Sequence, residues 1–255
     1  MRILFIRHGE PDYENDSLTP RGIREAEALR EYLKDQDLGD IYVSPLGRAQ
    51  LTAQIALEGS GRRAETLDWL REANVTIDLD SDPGLREFYP DITAKEIDTD
   101  RCFWDVMPRK FWEDHYCWDN ANWRQARVCA SSNLISVYDY VSSSLDDLLA
   151  SHGYRRNGLS YEVRRGNHDT ITLFCHLGVT GVMLAHLNNL SPFLIPQLTC
   201  CAPGSLSECV SEEREKGIAM FRTLYLGATP HLTLADQQPS FSARFAECYE
   251  DETRH

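Results

Sequence analysis

Two kinds of apolar pattern alternate along the chain. Ile3-Leu4-Phe5-Ile6 and Ile171-Thr172-Leu173-Phe174-Cys175 are almost unbroken apolar runs, the pattern of parallel strands covered on both faces. Shorter runs at residues 40–43 and 64–67 predict two further strands. Between them apolar residues recur at helical spacing. Ile23, Ala26, Leu29 and Leu33 follow a Thr19 cap and a Pro20 at the first helical position. Leu46, Ala49, Ala53, Ala56 and Leu57 mark a second helix, in which Arg48 sits in the first turn. Leu134, Val137, Val141, Leu145 and Leu148 or Leu149 form one stripe of a helix over residues 128–151 that Gly153 closes. A last helix is predicted at 179–187. Strands alternating with helices in this way predict an α/β fold: a three-layer sandwich with a mostly parallel central sheet and helices on both faces.

The middle of the chain breaks the alternation. Residues 73–100 read as irregular and acidic, and residues 101–127 are dense in aromatics, among them Phe103, Trp104, Phe111, Trp112, Tyr116, Trp118 and Trp123. Within a single domain spanning 1–255, residues 73–168 are therefore expected to form an inserted, aromatic-rich lid or cap, with an oligomer contact, such as a homodimer interface, as the rival reading. Residues 152–169 read as a basic connection with a short strand near 161–163. Residues 206–210 and 218–226, joined by the turn at Glu215-Lys216-Gly217, predict an antiparallel hairpin. The tail from Thr229 onward reads as irregular.

Composition narrows the partners. The formal net charge is -14, which opposes binding to nucleic acid or to anionic membranes. No apolar stretch reaches membrane-spanning length, and residues 1–6 are too short for a signal peptide. Eight cysteines occur without CxxC pairs, so a reduced, cytoplasmic setting is expected. No HExxH, paired-cysteine or calcium-loop pattern occurs, nor a glycine-rich nucleotide loop; neither a metal nor a cofactor is expected. A small phosphorylated ligand remains compatible, since a few arginines and helix amino termini dominate the local field within about 10 Å.

The two strong strands end alike, in Arg7-His8-Gly9 and in His176-Leu177-Gly178. Ligands bind open α/β sheets at the carboxyl ends of the strands, so neighbouring strands would bring two imidazoles together there. Neutral imidazole attacks phosphorus, and arginine offers planar, permanently charged donors to phosphoryl oxygens. The bland readings are a polar turn after a strand, satisfied core histidines and a solvated Arg48. The other six histidines have no motif.

Together, Arg7-His8-Gly9-Glu10, Leu18-Thr19-Pro20-Arg21-Gly22, the segment Ser44-Pro45-Leu46-Gly47-Arg48-Ala49 and the late His176 resemble the histidine phosphatase superfamily, also called phosphoglycerate mutase-like, in order and spacing. The resemblance is clear over 1–58 and 170–187. It implies that His8 becomes phosphohistidine, that Arg7, Arg48 and His176 hold the phosphoryl group with backbone donors near Gly178, and that Glu72 is the general acid. Glu87 is a rival acid. Glu10 and Asn15 are candidate substrate contacts; Glu14 stands where the family often has asparagine. The region around Glu72 lacks the run typical of glycolytic mutases, which points to a phosphatase of phosphomonoesters. Mutase-type phosphoryl transfer and a non-catalytic binding protein are the alternatives. Arg109, Lys110, Arg124 and Arg127 are candidates for a second anionic group of the substrate.

Overall fold

The structure is a computed structural model and describes residues 1–89 and 102–242. Eight strands form the main sheet: β1 (Arg2–Arg7), β2 (Asp40–Val43), β3 (Glu65–Thr66), β4 (Tyr154–Asn157), β5 (Ser160–Val163), β6 (Thr170–Cys175), β7 (Leu206–Glu215) and β8 (Ile218–Ala228). Their spatial order is β3-β2-β6-β1-β7-β8-β5-β4. The first four run parallel. From β1 outward the ladder is antiparallel, with tight turns joining β4 to β5 and β7 to β8.

Alternation on β1 builds the two cores. Leu4 and Ile6 face one side, with Leu29 and Leu33 of α1 (Pro20–Leu33) and Ala49 and Ala53 of α2 (Gly47–Ala56). Ile3 and Phe5 face the other, with Leu145 and Leu149 of α3 (Leu134–Ser151) and Val179 and Met183 of α4 (Leu177–Asn188). This is the expected three-layer α/β arrangement.

The inserted aromatics divide in two. Phe103, Phe111 and Trp123 are buried in the same cluster as Phe5, each contributing roughly 1.5–3 kcal/mol by burial. Trp112 and Trp118 stay exposed, their ring centroids 6.4 Å apart. Of the insertion read as 73–168, residues 90–101 lie outside the described residues, as does the tail beyond residue 242.

Several local expectations need correction. Residues 73–79 are irregular as expected, apart from an isolated bridge of Ile77 to Ser132, but they alternate: Ala73, Val75, Ile77 and Leu79 are buried while Asn74, Thr76 and Asp78 are exposed. The helix expected at 128–151 breaks near Ser131, leaving one turn at Arg127–Ala130 before α3. The 152–169 connection holds two strands rather than one. Helix α4 begins two residues earlier than expected, directly after His176. On α1, Thr19 caps as expected, its side chain accepting from Gly22 N at 3.1 Å. Ile23, however, is 37% exposed while Glu25 is buried, because the stripe through Gly22, Ala26, Leu29 and Leu33 carries Glu25 rather than Ile23 against the sheet.

Candidate active site

Strands β1 and β6 are neighbours, paired from Arg2 opposite Thr170 to Arg7 opposite Cys175. The residues that follow them therefore meet: the His8 and His176 ring centroids are 5.1 Å apart, tilted by 56°. His8 is held on three sides. Its N–H donates to Cys175 O at 3.0 Å, its carbonyl accepts from Gly204 N at 2.8 Å, and its Nδ1 lies 2.7 Å from Gly9 O. A carbonyl oxygen only accepts, so Nδ1 carries the proton and Nε2 keeps its lone pair. His176 Nε2 lies 2.7 Å from the buried Ser44 hydroxyl, and its Nδ1 is buried without a hydrogen-bond partner among the described residues.

Both imidazoles are held neutral. Burial pushes the His8 pKa well below its ordinary value, and Arg7 and Arg48 add to the effect. Burial does the same to His176, reinforced by His8, Arg48 and Arg7. A neutral imidazole is the form with a nucleophilic lone pair.

Two glycines explain why this turn sits against α1. A Cβ on Gly9 would lie 2.7 Å from Gly22 O, and one on Gly22 would lie 2.3 Å from Glu10 O. The Arg-His-Gly turn and the Thr-Pro-Arg-Gly helix start are thus two sides of one backbone contact.

The guanidiniums are aimed by acceptors. Buried Arg7 donates through Nη1 to Cys201 O. Arg48, in the first turn of α2, bonds Asp16 at 2.7 Å and packs over the Tyr13 ring at 5.4 Å. Asp16 has a positive φ of 45°, in the left-handed region that aspartate tolerates better than most residue types. It is pinned there by Arg48 and by the Gly47 N–H at 2.6 Å. Burial pushes the Asp16 pKa up, but the Gly47 N–H and Arg48 outweigh it and hold the carboxyl below its usual range.

Glu72 closes the group. Its Oε1 accepts from Val179 N in the first turn of α4 at 3.0 Å and from Ala73 N at 2.8 Å. Burial raises its pKa, opposed by the Ala73 N–H, Arg7, the Val179 N–H and Arg48. Gly178 lies under it: a Cβ there would be 2.4 Å from the Trp104 ring and 2.7 Å from Glu72 Oε1. The indole and the carboxylate therefore share the face that this glycine leaves open.

The remaining candidates lie elsewhere or serve other contacts. Glu87 is exposed and paired with Lys110 at 3.1 Å. Asn15 is exposed and bonds Asp12 within its own turn at 2.8 Å. The Glu10 carboxylate accepts from Thr19 Oγ1 at 2.8 Å and from Ser240. Arg109 pairs with Glu113, Arg124 with Asp139 and Arg127 with Asp82. A surface groove of about 500 Å3, lined by Gln54, Glu58, Arg62 and Arg63 among others, contains none of Arg7, His8, Arg48, Glu72 and His176. Sequence reasoning missed Tyr13, Asp16 and Ser44, and named Trp104 only as one of the aromatics of the insertion. Of these, Ser44 opens the Ser-Pro-Leu-Gly-Arg segment already quoted, and the Asn15-Asp16-Ser17 turn was readable as turn chemistry. Tyr13 and Trp104 had no distinguishing signal.

Fold and site together define an α/β protein with two neutral histidines and two arginines gathered at the carboxyl edge of parallel strands. Comparison with known proteins agrees: residues 3–223 match the model of the histidine phosphatase superfamily (branch 1), and the chain belongs to that family. A 2,3-bisphosphoglycerate-dependent phosphoglycerate mutase of Thermoplasma acidophilum is 29% identical over 182 residues, 67% of this chain and 80% of that protein. Among solved structures, the phosphoserine phosphatase of Entamoeba histolytica, in complex with 3-phosphoglyceric acid, superposes with a TM-score of 0.55 at 15% identity, covering 91% of this chain and 98% of its own. A mycobacterial glucosyl-3-phosphoglycerate phosphatase gives 0.54 at 21% identity, with 89% and 99% covered. Among the described residues, no helix is long and apolar enough to cross a membrane.

Proposed function

We propose that the chain is a metal-independent phosphomonoesterase acting on a small phosphorylated substrate by two displacements through phosphohistidine on His8. The observation that carries this reading is the bond from His8 Nδ1 to Gly9 O at 2.7 Å. It leaves Nε2 as the free nitrogen of a neutral ring beside a second neutral imidazole.

In the first displacement the Nε2 lone pair forms a P–N bond while the P–O bond to the leaving group breaks, and protonated Glu72 gives its proton to the departing oxygen. Arg7, Arg48 and His176 stabilise the charge on the transferring group by donors fixed in advance, which is the work a metal does in other phosphoryl-transfer sites. In the second displacement water attacks phosphorus, Glu72 takes a proton from it, and the P–N electron pair returns to His8 as phosphate departs. We assign the choice of leaving group to the 73–168 insertion, because its Trp104 lies beside Glu72 over Gly178.

The test is turnover of a generic aryl phosphate. Wild type is expected to hydrolyse it with or without a chelator, and His8→Ala protein is not. Equal activity in the variant, or abolition of activity by the chelator, overturns the mechanism. A second reading, a phosphoglycerate mutase, has the 29% identical relative in its favour. Interconversion of 2- and 3-phosphoglycerate in a coupled assay, exceeding hydrolysis, selects it. A non-catalytic binding protein on this scaffold would take no acid-labile, base-stable label from a phosphodonor.

A further inference from the structure

A buried carboxylate that the proposed reaction does not use lies directly behind the nucleophile. Glu25 of α1 is 1% exposed. Its Oε2 accepts from the Glu10 N–H at 2.7 Å. That N–H belongs to the same peptide group as the Gly9 carbonyl, which accepts from His8 Nδ1 at 2.7 Å. One amide plane therefore joins the imidazole on its oxygen side to the carboxylate on its nitrogen side.

We infer that Glu25 is a positioning residue for His8, acting through the Gly9–Glu10 peptide as a relay. A carboxylate drawing on the N–H of an amide polarises it and makes its carbonyl a stronger acceptor, the cooperative strengthening expected along a hydrogen-bond chain. The stronger Gly9 carbonyl fixes the ring orientation and the Nδ1–H tautomer, and it stabilises the positive charge that develops when Nε2 bonds phosphorus. An aspartate beside a catalytic histidine does this directly; here the backbone lies between.

The surroundings are built for a responsive carboxyl rather than a fully satisfied one. Glu25 Oε1 has no hydrogen-bond partner among the described residues, and the Arg21 Nε lies 3.6 Å from it. The Glu10 carboxylate faces it from the loop, 3.8 Å from the same Arg21. On the far side stands His231, buried, with neither ring nitrogen hydrogen-bonded among the described residues. A Cβ on Gly204 would lie 3.5 Å from His231 Nε2 and 3.8 Å from Glu25 Oε2, and the Gly204 N–H is the one that bonds the His8 carbonyl. Burial lowers the His231 pKa to about 4, so that ring is neutral at neutral pH. Burial raises Glu25 to about 7; the Glu10 N–H opposes this, the Glu10 carboxylate adds to it, and Arg21 and Arg7 oppose it. The charged form, the stronger acceptor, thus dominates above pH 7 and is lost below it.

The inference rests on the phosphohistidine reading, and its test separates the two. Glu25→Gln keeps an oxygen to accept the Glu10 N–H but removes the charge. In wild type the His8 Nδ1–H proton resonance is expected far downfield, moving with a midpoint near pH 7. In Glu25→Gln protein it is expected upfield of that position and flat across the same range. With an aryl phosphate, kcat is expected to fall about threefold to tenfold at pH 8 with little change in KM, the difference between a charged and a neutral acceptor. The gap closes by pH 6, where wild-type Glu25 is also neutral. A resonance and a pH profile that match wild type in the variant overturn the relay and leave the hydrolysis mechanism standing. Absence of His8-dependent turnover in wild type removes the mechanism, while the resonance still decides the relay. Should the variant not fold, a wild-type His8 resonance that stays fixed between pH 6 and 8 is the overturning result.

Discussion

The two halves of the sheet use the same kind of strand for different ends. In the parallel half, β3-β2-β6-β1, each strand that carries chemistry runs into a turn and then a helix, so strand ends and helix amino termini gather at one edge. Arg7 and His8 leave β1 there, Ser44 leaves β2 and Arg48 opens α2, and His176 leaves β6 to open α4. In the antiparallel half, β7-β8-β5-β4, successive turns point to opposite edges, and the inward positions hold packing instead. Tyr154 and Tyr161 pack edge-on against Phe221 at centroid distances of 6.0 and 5.0 Å. Convergence of polar groups is a property of βα units. The antiparallel half contributes breadth and stability.

Substitutions separate the halves, beginning with the largest effect. His8→Ala is expected to lower kcat for an aryl phosphate by roughly 10^4 or more, as loss of a nucleophile does, with the melting temperature checked alongside. Glu72→Gln is expected to cost about 10^2–10^4 for an alkyl phosphate, whose leaving oxygen needs a proton, and far less for an aryl phosphate with an acidic leaving group. The sign with pH follows from the same carboxyl. Its pKa is raised above the usual carboxylate value by burial, so the acid form persists to higher pH, and kcat for the alkyl ester should fall as pH rises through that raised value. A pH–rate series on both esters checks this. Gly178→Ala places a Cβ 2.4 Å from Trp104 and 2.7 Å from Glu72; displacing the acid is expected to cost about 10^2 in kcat. In the antiparallel half, Tyr161→Phe removes a 2.9 Å bond from the phenol to Asp146. It is expected to cost about 1 kcal/mol in denaturant unfolding and to leave kcat unchanged. A large loss of kcat there would break the contrast between the halves.

The parallel half was also the more legible in sequence. Buried parallel strands are apolar without alternation, and their helices carry caps and glycines at fixed offsets, so pattern put Arg7, His8 and His176 at strand ends and Arg48 in a first helical turn, and the family resemblance joined them into one site. The contacts that hold them could not be read this way. Asp16 reaches Arg48 from a turn, Ser44 reaches His176 across neighbouring strands, and Glu25 sits on a helix face whose apolar stripe pointed instead to Ile23. Each depends on how elements pack, which no local spacing records. Residues 73–79 carried a period-two alternation that acidic neighbours disguised, and its regular partner is a single bridge to Ser132. Basic residues of the insertion resembled ligand contacts in isolation; Arg109, Lys110, Arg124 and Arg127 are each paired with nearby carboxylates. Glu72 against Glu87 was an open choice in sequence, and burial against α4 separates them in space.

The central claim is that His8 Nε2 bonds phosphorus during turnover. The direct measurement is rapid mixing with a phosphomonoester, quenching in base, and mass spectrometry of the peptide that carries His8. The expected result is a phosphoryl group on His8 that forms faster than phosphate is released, is stable to base and is lost in acid. Turnover with no adduct at any time point, or an adduct on His176 instead, would contradict it.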